Sequence, residues 1–149
     1  MIELRPVEVS DLESFYEFQS DPEAVAMAVF GSRDRASHFE VWTTKIMVNP
    51  DGLARTVLVD GVVAGNMLSW SSDGVRYVGY WIGREFWGRG VATEALGLFV
   101  REIPERPIYG LVVISNVGSQ RVLEKNAFVR LEQRPSPDDD IEEFVYRLD

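Results

Sequence analysis

Residues 80–95 read YWIGREFWGRGVATEA, and this stretch decides the fold. A segment rich in aromatic and β-branched residues, typical of a strand, leads into a glycine-containing turn and then into a segment with helical spacing. Free N–H groups and the dipole at a helix start attract anions. Gly88 and Gly90 let the backbone approach a phosphate closely. Arg84 and Arg89 flank the turn with positive charge. The spacing therefore predicts a phosphate-binding turn, with a plain tight turn as the alternative.

Two other phosphate-binding templates do not fit this segment. The dinucleotide-binding pattern Gly-x-Gly-x-x-Gly would need a glycine at position 93, where Thr93 stands. The Walker pattern Gly-x-x-x-x-Gly-Lys is absent from the sequence. The segment therefore does not predict a nucleotide site of either kind.

Length and composition predict a single domain over residues 1–149, because 149 residues with 46% hydrophobic content suffice for one core. The sequence contains no cysteine, which excludes disulfide scaffolds, cysteine-ligated zinc and thiol nucleophiles. Its one histidine, His38, cannot form a histidine-rich metal centre. We therefore expect no metal site.

The charge balance is acidic, with 15 Lys and Arg against 24 Asp and Glu and a net charge of −9. Such a chain repels nucleic acid and anionic lipid and favours cationic substrates. No stretch approaches 18 consecutive apolar residues, and the charged N-terminal segment does not resemble a signal peptide. We therefore expect a soluble, cytoplasmic protein without nucleic-acid or membrane partners.

Hydrophobic periodicity and turn signals predict the element order β–α–α–β–β–β–α–β–α–β–β. The predicted strands lie at 2–5, 55–59, 62–70, 75–82, 108–114, 128–133 and 141–148. The predicted helices start at Ser10 or Asp11 and again at 21–23, span 34–48 and 90–102, and follow Asn116 as far as 125–128. This order favours a mixed sheet with helices on both faces. The strand at 141–148 leaves pairing into a homodimer open, although its charged residues also protect an edge.

Two motifs together resemble the GNAT acyltransferases. Residues 87–92 (WGRGVA) are similar to that family's pyrophosphate signature Arg/Gln-x-x-Gly-x-Gly/Ala, with Trp87 at the first position as in the RimJ/RimL-like branch. Residues 116–128 (NVGSQRVLEKNAF) are similar to the Asn-x-x-Ser…Glu-Lys-x-Gly-Phe stretch of the same branch. Ala127 replaces the usual glycine, which costs little if its backbone angle is ordinary. Leu123 stands where many members carry a tyrosine that protonates the departing thiolate.

The resemblance implies an α/β (α+β) fold with a mixed, mostly antiparallel seven-stranded sheet, helices on both faces, and a splay between strands 4 and 5. It also implies that acetyl-CoA binds in the splay as cosubstrate. The resemblance further implies that the cofactor contacts main-chain groups along the strand and the turn, and residues on the other side of the thioester. The implied cofactor-binding residues are Tyr80, Trp81, Ile82, Trp87, Gly88, Arg89, Gly90, Val91, Ala92, Thr93, Asn116 and Ser119.

For catalysis, the resemblance implies direct transfer of an acetyl group to a primary amine. Ser119 is the candidate general acid, because Leu123 cannot donate a proton; the alternative is that Ser119 only caps a turn or binds the cofactor. Asn116 combines the roles of helix cap and cofactor contact. Glu23 is the first hypothesis for the general base and Glu85 the second, and each has a solvated carboxylate as its alternative.

The acceptor is not identified by any motif. A protein N-terminus, a polyamine or an amino sugar would each suit the acidic chain. A CoA-binding regulatory module with weak catalysis is the alternative function, motivated by Leu123. Transfer of a different acyl group, such as succinyl, is a third hypothesis.

Overall fold

The computed structural model describes residues 1–28, 33–136 and 141–149. The strands are β1 (Ile2–Pro6), β2 (Leu53–Val59), β3 (Val62–Ser72), β4 (Val75–Ile82), β5 (Ile108–Val113), β6 (Val129–Pro135) and β7 (Glu142–Leu148). The helices are α1 (Leu12–Gln19), α2 (Pro22–Ala28), α3 (Arg35–Val41), α4 (Val91–Val100) and α5 (Val117–Lys125). A π-helical segment (Trp42–Ile46) continues α3, and 3-10 turns lie at Val9–Asp11 and Arg84–Phe86.

The described strands form one seven-stranded sheet in the order β1-β2-β3-β4-β5-β7-β6. Its neighbouring strands are antiparallel except for β4 and β5, which run parallel. The parallel pairing covers only 76–78 against 108–110, although β4 continues to Ile82 and β5 to Val113. The predicted splay between strands 4 and 5 is therefore confirmed, as is the mixed, mostly antiparallel sheet.

Helices cover both faces of the sheet, as predicted. Met67 and Leu68 are consecutive in β3 and therefore point to opposite faces. Met67 belongs to the core cluster that contains Phe99 of α4. Leu68 packs against a second cluster that contains Phe15 of α1 and Trp42 after α3. Burial on both faces fixes the register of β3, because a shift by one residue would exchange the two clusters.

The observed bounds differ from the predicted ones by a few residues at several ends. β2 begins at Leu53 rather than at 55, because Leu53 and Ala54 already pair with β3. The helix predicted over 34–48 is divided into α3 and the π-helical segment. Between the strands predicted at 128–133 and 141–148, the sequence Pro135-Ser136 followed by 137–140 is typical of a loop with an acidic tip, and residues 137–140 lie outside the described residues.

The side chain of Asp11 does not cap α1, in contrast to one of the two predicted starts. Its carboxylate, 2% exposed, accepts hydrogen bonds from both Arg5 Nη atoms at 2.8 Å and from Thr56 Oγ1 at 2.7 Å. Burial raises the pKa of Asp11, but bonds from Arg5, the Glu8 amide and Thr56 outweigh burial and leave the pKa below its usual value. Because its partners lie on β1 and β2, the Asp11 carboxylate does not cap α1.

Ala127 has a left-handed backbone with φ of +69°. The Phe128 amide donates to the Leu123 carbonyl at 3.1 Å, and the Ala127 amide donates to the Glu124 carbonyl at 3.2 Å. These two bonds form a Schellman motif, which usually places glycine at this position. The condition under which alanine would cost little, an ordinary backbone angle, is therefore not met, and Ala127 carries a strain that glycine would not.

Within the described residues, no helix combines the length and the apolar character needed to cross a membrane.

Candidate active site

A cleft of about 440 Å³ lies where β4 and β5 separate. The end of β4, the following turn and the first turn of α4 form one wall, α5 forms another, and α2 contributes an apolar rim. The residues that line the cleft are Ala24, Met27, Tyr80, Trp81, Ile82, Phe86, Trp87, Gly88, Gly90, Val91, Ala92, Thr93, Asn116, Gly118, Ser119, Arg121, Val122 and Lys125. The structure therefore brings together eleven of the twelve predicted cofactor-binding residues, and Arg89 is the one missing from the lining.

The turn between β4 and α4 needs its two glycines. Gly88 and Gly90 both have φ of +73°, a region that other residues rarely adopt. Apart from its chain neighbours, no atom of the described residues lies within 4 Å of a Cβ built at either position, so the backbone faces open space there. Gly90 is the N-cap of α4, whose first N–H groups have no partner within the helix. This open, donor-rich turn fits a diphosphate.

Among the described strands, the backbone of β4 beyond Val78 has a partner on one side only. Residues 80–82 pair with 65–67 of β3, while the ladder to β5 ends at Val78. A strand edge of this kind can accept an extended ligand arm as an added strand. This arrangement fits the predicted main-chain role of Tyr80, Trp81 and Ile82 toward a pantetheine arm.

Trp87 joins the turn to the end of β4. Its indole Nε1 donates a hydrogen bond to the Ile82 carbonyl oxygen at 2.9 Å. The side chain is 39% exposed and lines the cleft. One end of the ring is anchored by this bond and the other is open to solvent, so the indole can pack against part of a ligand bound in the cleft.

The two arginines expected to flank the turn are engaged elsewhere. Arg84 forms ion pairs with Asp21 and Glu23, each at 2.8 Å. The guanidinium of Arg89 lies over the Phe86 ring at 5.5 Å. Neither arginine is among the described residues that line the cleft.

Positive charge reaches the cleft from α5 instead. Arg121 and Lys125 are four residues apart, and both line the cleft from the same face of the helix. Sequence reasoning missed them, although their i,i+4 spacing inside the second motif was the available signal. In an acidic chain, two cations on one wall of a cleft favour an anionic ligand there.

Tyr80, Asn116 and Ser119 form a hydrogen-bonded group where the strands part. The Tyr80 hydroxyl and Ser119 Oγ are 2.9 Å apart. The Ser119 amide donates to Asn116 Oδ1 at 3.2 Å, so Asn116 caps α5 as predicted. Burial raises the pKa of the Tyr80 hydroxyl to about 12, although the hydrogen bond with Ser119 lowers it in part. The phenol therefore stays protonated near neutral pH.

Leu123 lies in the core rather than in the cleft. Its side chain is 3% exposed, and a Cβ built at Gly110 would come within 3.2 Å of it. The position aligned with the usual tyrosine therefore faces β5 here, and the hydroxyls that meet where the strands part come from Tyr80 and Ser119.

The two hypotheses for the general base are not brought to the cleft. The Glu23 side chain is 71% exposed and pairs with Arg84. Glu85 is exposed in the 3-10 turn Arg84–Phe86. Neither residue lines the cleft, whereas Ala24 and Met27 of α2 do. The segment after the first helix does border the cleft, but the Glu23 carboxylate pairs with Arg84, which does not line it.

Metal ligands do not cluster in the described part of the chain. No group of three or more His, Cys, Asp or Glu residues there could hold an ion.

Solved structures share this fold at low sequence identity. An acetyltransferase (GNAT family) from Bacillus anthracis superposes with a TM-score of 0.82 at 17% identity, covering 99% of this chain and 93% of that one. The aminoglycoside acetyltransferase AAC(6')-Ib in complex with coenzyme A and kanamycin gives 0.83 at 19% identity, with coverages of 99% and 94%. Mycobacterium smegmatis RimJ in complex with CoA-disulfide gives 0.80 at 16% identity, with coverages of 99% and 81%.

No curated protein matches the sequence. The profile of the family described as the acetyltransferase (GNAT) domain matches residues 2–129. This match spans both motifs and the cleft between them. The chain therefore belongs to the GNAT acetyltransferase family.

Proposed function

We propose that this protein is an acetyl-CoA-dependent N-acetyltransferase that moves an acetyl group directly to a primary amine, within one domain over residues 1–149. One observation carries the proposal. A single cleft connects the open glycine turn at Gly88 and Gly90 to the hydroxyl pair of Tyr80 and Ser119. A ligand with a diphosphate at one end and a thioester at the other would use both ends.

Acetyl-CoA supplies the activated acyl group when bound. The amides at the start of α4 would hold its diphosphate, and residues 80–82 would pair with its pantetheine arm. Arg121 and Lys125 would add charge-assisted contacts to its phosphates. Their place on the wall of the cleft supports this role.

Ser119 is the proposed general acid. The reaction needs a neutral amine, a polarised carbonyl and a proton for the departing sulfur. Ser119 supplies the proton, and Asn116 fixes the first turn of α5 by accepting from the Ser119 amide. Glu23 stays a prediction for the general base, and its exposure and ion pair give that prediction no support.

A cationic acceptor is the class we infer, either a protein N-terminus or a small amine. The net charge of −9 favours approach of a cation. The RimJ/RimL-like branch, suggested by Trp87 and residues 116–128, would favour a protein N-terminus. The aminoglycoside bound to a structural neighbour favours an amino sugar. A cytoplasmic location and a homodimer belong to the same proposal. The strand at 141–148 is not available for pairing between subunits, because β7 lies between β5 and β6 in the sheet.

A CoA-binding regulatory module is the second candidate. The burial of Leu123 favours it, because the tyrosine that many family members use is missing from the cleft. Both candidate functions predict that the protein binds CoA, and only the enzyme predicts substantial turnover.

A thiol-release assay with acetyl-CoA, run over polyamines, amino sugars and peptides with free N-termini, tests the proposal. We expect thiol release with at least one amine class and a product heavier by one acetyl group in mass spectrometry. Ser119→Ala should lower turnover about 100-fold while CoA affinity in calorimetry stays within about twofold. The exposed Ser72→Ala is the matched control.

Two results would count against the proposal. Background thiol release over the whole panel, together with normal CoA binding, would favour the regulatory module. Unchanged turnover in Ser119→Ala would remove Ser119 from the role of acid.

A further inference from the structure

We propose that Tyr80 is a positioning residue that aims the Ser119 hydroxyl hydrogen into the cleft, toward the sulfur that leaves during acyl transfer. This inference depends on the proposed function. Tyr80 lies on β4 and Ser119 on α5, so the 2.9 Å contact between their hydroxyls spans the opening between the separated strands. Both residues line the cleft.

Hydrogen-bond accounting gives the direction of the contact. A hydroxyl has one hydrogen to donate and two lone pairs that accept. The phenol is the more acidic of the two hydroxyls, so Tyr80 donates and Ser119 Oγ accepts. The Ser119 hydrogen is then left for another acceptor. Because Tyr80 occupies one side of Oγ, that hydrogen points elsewhere, into the space of the cleft.

The serine is held from two directions. Its amide donates to Asn116 Oδ1 at 3.2 Å, and its hydroxyl contacts Tyr80. A serine side chain has one rotatable bond before its oxygen, so these contacts leave the oxygen little freedom. Orientation of a reacting group in this way lowers the entropy lost in the transition state.

The proton balance of the step is simple. The amine nitrogen forms a bond to the acyl carbon, the carbon–sulfur bond breaks, and its electron pair stays on sulfur. The nitrogen releases one proton to solvent, and the sulfur receives one from Ser119. The Ser119 oxygen regains a proton from solvent, while Tyr80 keeps its own throughout. Burial raises the pKa of Tyr80 to about 12, which is consistent with a phenol that donates a hydrogen bond without ionising.

This arrangement also explains how the cleft has a phenol although position 123 is a leucine. That residue is buried against β5, so α5 offers no phenol to the cleft one turn after Ser119. The phenol comes from β4 instead and acts through the serine.

The test compares four proteins: wild type, Tyr80→Phe, Ser119→Ala and the double variant. Tyr77→Phe is the matched control, because Tyr77 lies on the opposite face of the same strand and does not line the cleft. The readouts are kcat, KM for acetyl-CoA, CoA affinity by calorimetry, and the NMR shift of the tyrosine ring carbon that bears the hydroxyl. That carbon reports the hydrogen bond without any turnover.

We expect Tyr80→Phe to lower kcat about tenfold, with KM and CoA affinity within about twofold of wild type. Tyr77→Phe should keep the wild-type kcat. The double variant should lose no more activity than Ser119→Ala alone, because the two residues act as one unit. The Tyr80 carbon resonance should move when Ser119 becomes alanine.

Three outcomes would overturn the inference while leaving the proposed function intact. The first is an unchanged kcat in Tyr80→Phe. The second is a loss of kcat in the double variant that equals the product of the two single losses. The third is a Tyr80 carbon resonance that does not shift in Ser119→Ala. If Tyr80→Phe fails to fold, the resonance in Ser119→Ala decides alone. An inactive wild type with normal CoA affinity would instead overturn the proposed function, and this inference with it.

Discussion

The indole of Trp87 donates a hydrogen bond to the carbonyl of Ile82 at 2.9 Å, and this contact fixes the glycine turn against the end of β4. An intramolecular hydrogen bond contributes about 1 kcal/mol. Trp87→Phe keeps the ring and removes the donor, so the turn loses this anchor. We expect CoA affinity to fall several-fold in calorimetry, with a small change in melting temperature. Trp70→Phe, outside the cleft lining, should bind CoA normally, and equal affinities in both variants would contradict this role.

Gly90→Val should abolish CoA binding for a reason separate from stability. Valine at φ of +73° is strained by about 1–2 kcal/mol, and its side chain would project into the open space of the turn. Gly74→Val is the matched control, because Gly74 has φ of +78° and equally open surroundings in the β3–β4 turn. The melting temperature should fall by a similar amount in both variants. CoA affinity should fall in Gly90→Val alone, by more than about tenfold. Equal CoA affinity would refute the phosphate assignment.

Arg121 and Lys125 should contribute a salt-dependent part of CoA affinity. Replacing both with glutamine removes two positive charges from one wall of the cleft. We expect weaker CoA binding at low ionic strength and a smaller change in affinity between low and high salt, because screening acts on charged contacts. Lys45→Gln is the control, since Lys45 does not line this cleft. An unchanged salt dependence would exclude contact with the phosphates.

Ala127→Gly should stabilise the protein. The residue has φ of +69° inside a Schellman motif, and relief of this strain exceeds the entropy that glycine adds to the unfolded chain. We expect a gain of about 0.5–1 kcal/mol in urea unfolding. Ala26→Gly, in the middle of α2, should instead destabilise by a similar amount. A loss of stability in Ala127→Gly would mean that the left-handed angle is not adopted in solution.

His38 should make stability fall as the pH drops below about 6.5. The ring is 1% exposed, and its Nε2 lies 2.9 Å from the Leu12 carbonyl. Burial is the largest cause and lowers the pKa of His38 from its ordinary 6.5. The bond to Leu12 and the charge of Glu13 partly oppose this, whereas Arg33 and Arg35 lower the pKa further. Because the folded pKa lies below the unfolded one, protonation favours unfolding, so stability is present above pH 6.5 and is lost below it.

Melting curves between pH 7.5 and 5.5 check this prediction. His38 is the one histidine of the sequence, so no other imidazole titrates in this window. His38→Gln can still donate to the Leu12 carbonyl but carries no titratable ring. Between pH 7.5 and 5.5, we expect the melting temperature to fall further in the wild type than in this variant. Parallel curves would show that His38 is not buried in the neutral form.

The sequence was sufficient where the decisive interactions are local. A glycine at positive φ, such as Gly90, is required by the backbone itself. Asn116 accepts from an amide three residues away, and alternating apolar residues place each strand. The order of elements was therefore predictable from local patterns. The splayed sheet and the cleft-lining stretch 87–93, apart from Arg89, were expected from the resemblance of the two motifs to the GNAT family.

Only the tertiary structure decided which side chains meet. Tyr80 and Ser119 are 39 positions apart, and their contact depends on the angle between strands that no local pattern encodes. Arg84 lies close to the turn in sequence, yet it pairs with Asp21 just before α2 and with Glu23 in α2. Arg121 and Lys125 of α5 line the cleft instead. Local periodicity determines the backbone because its forces act within a few residues. Side-chain partners are set by strand register and packing, which appear only when the whole sheet has formed.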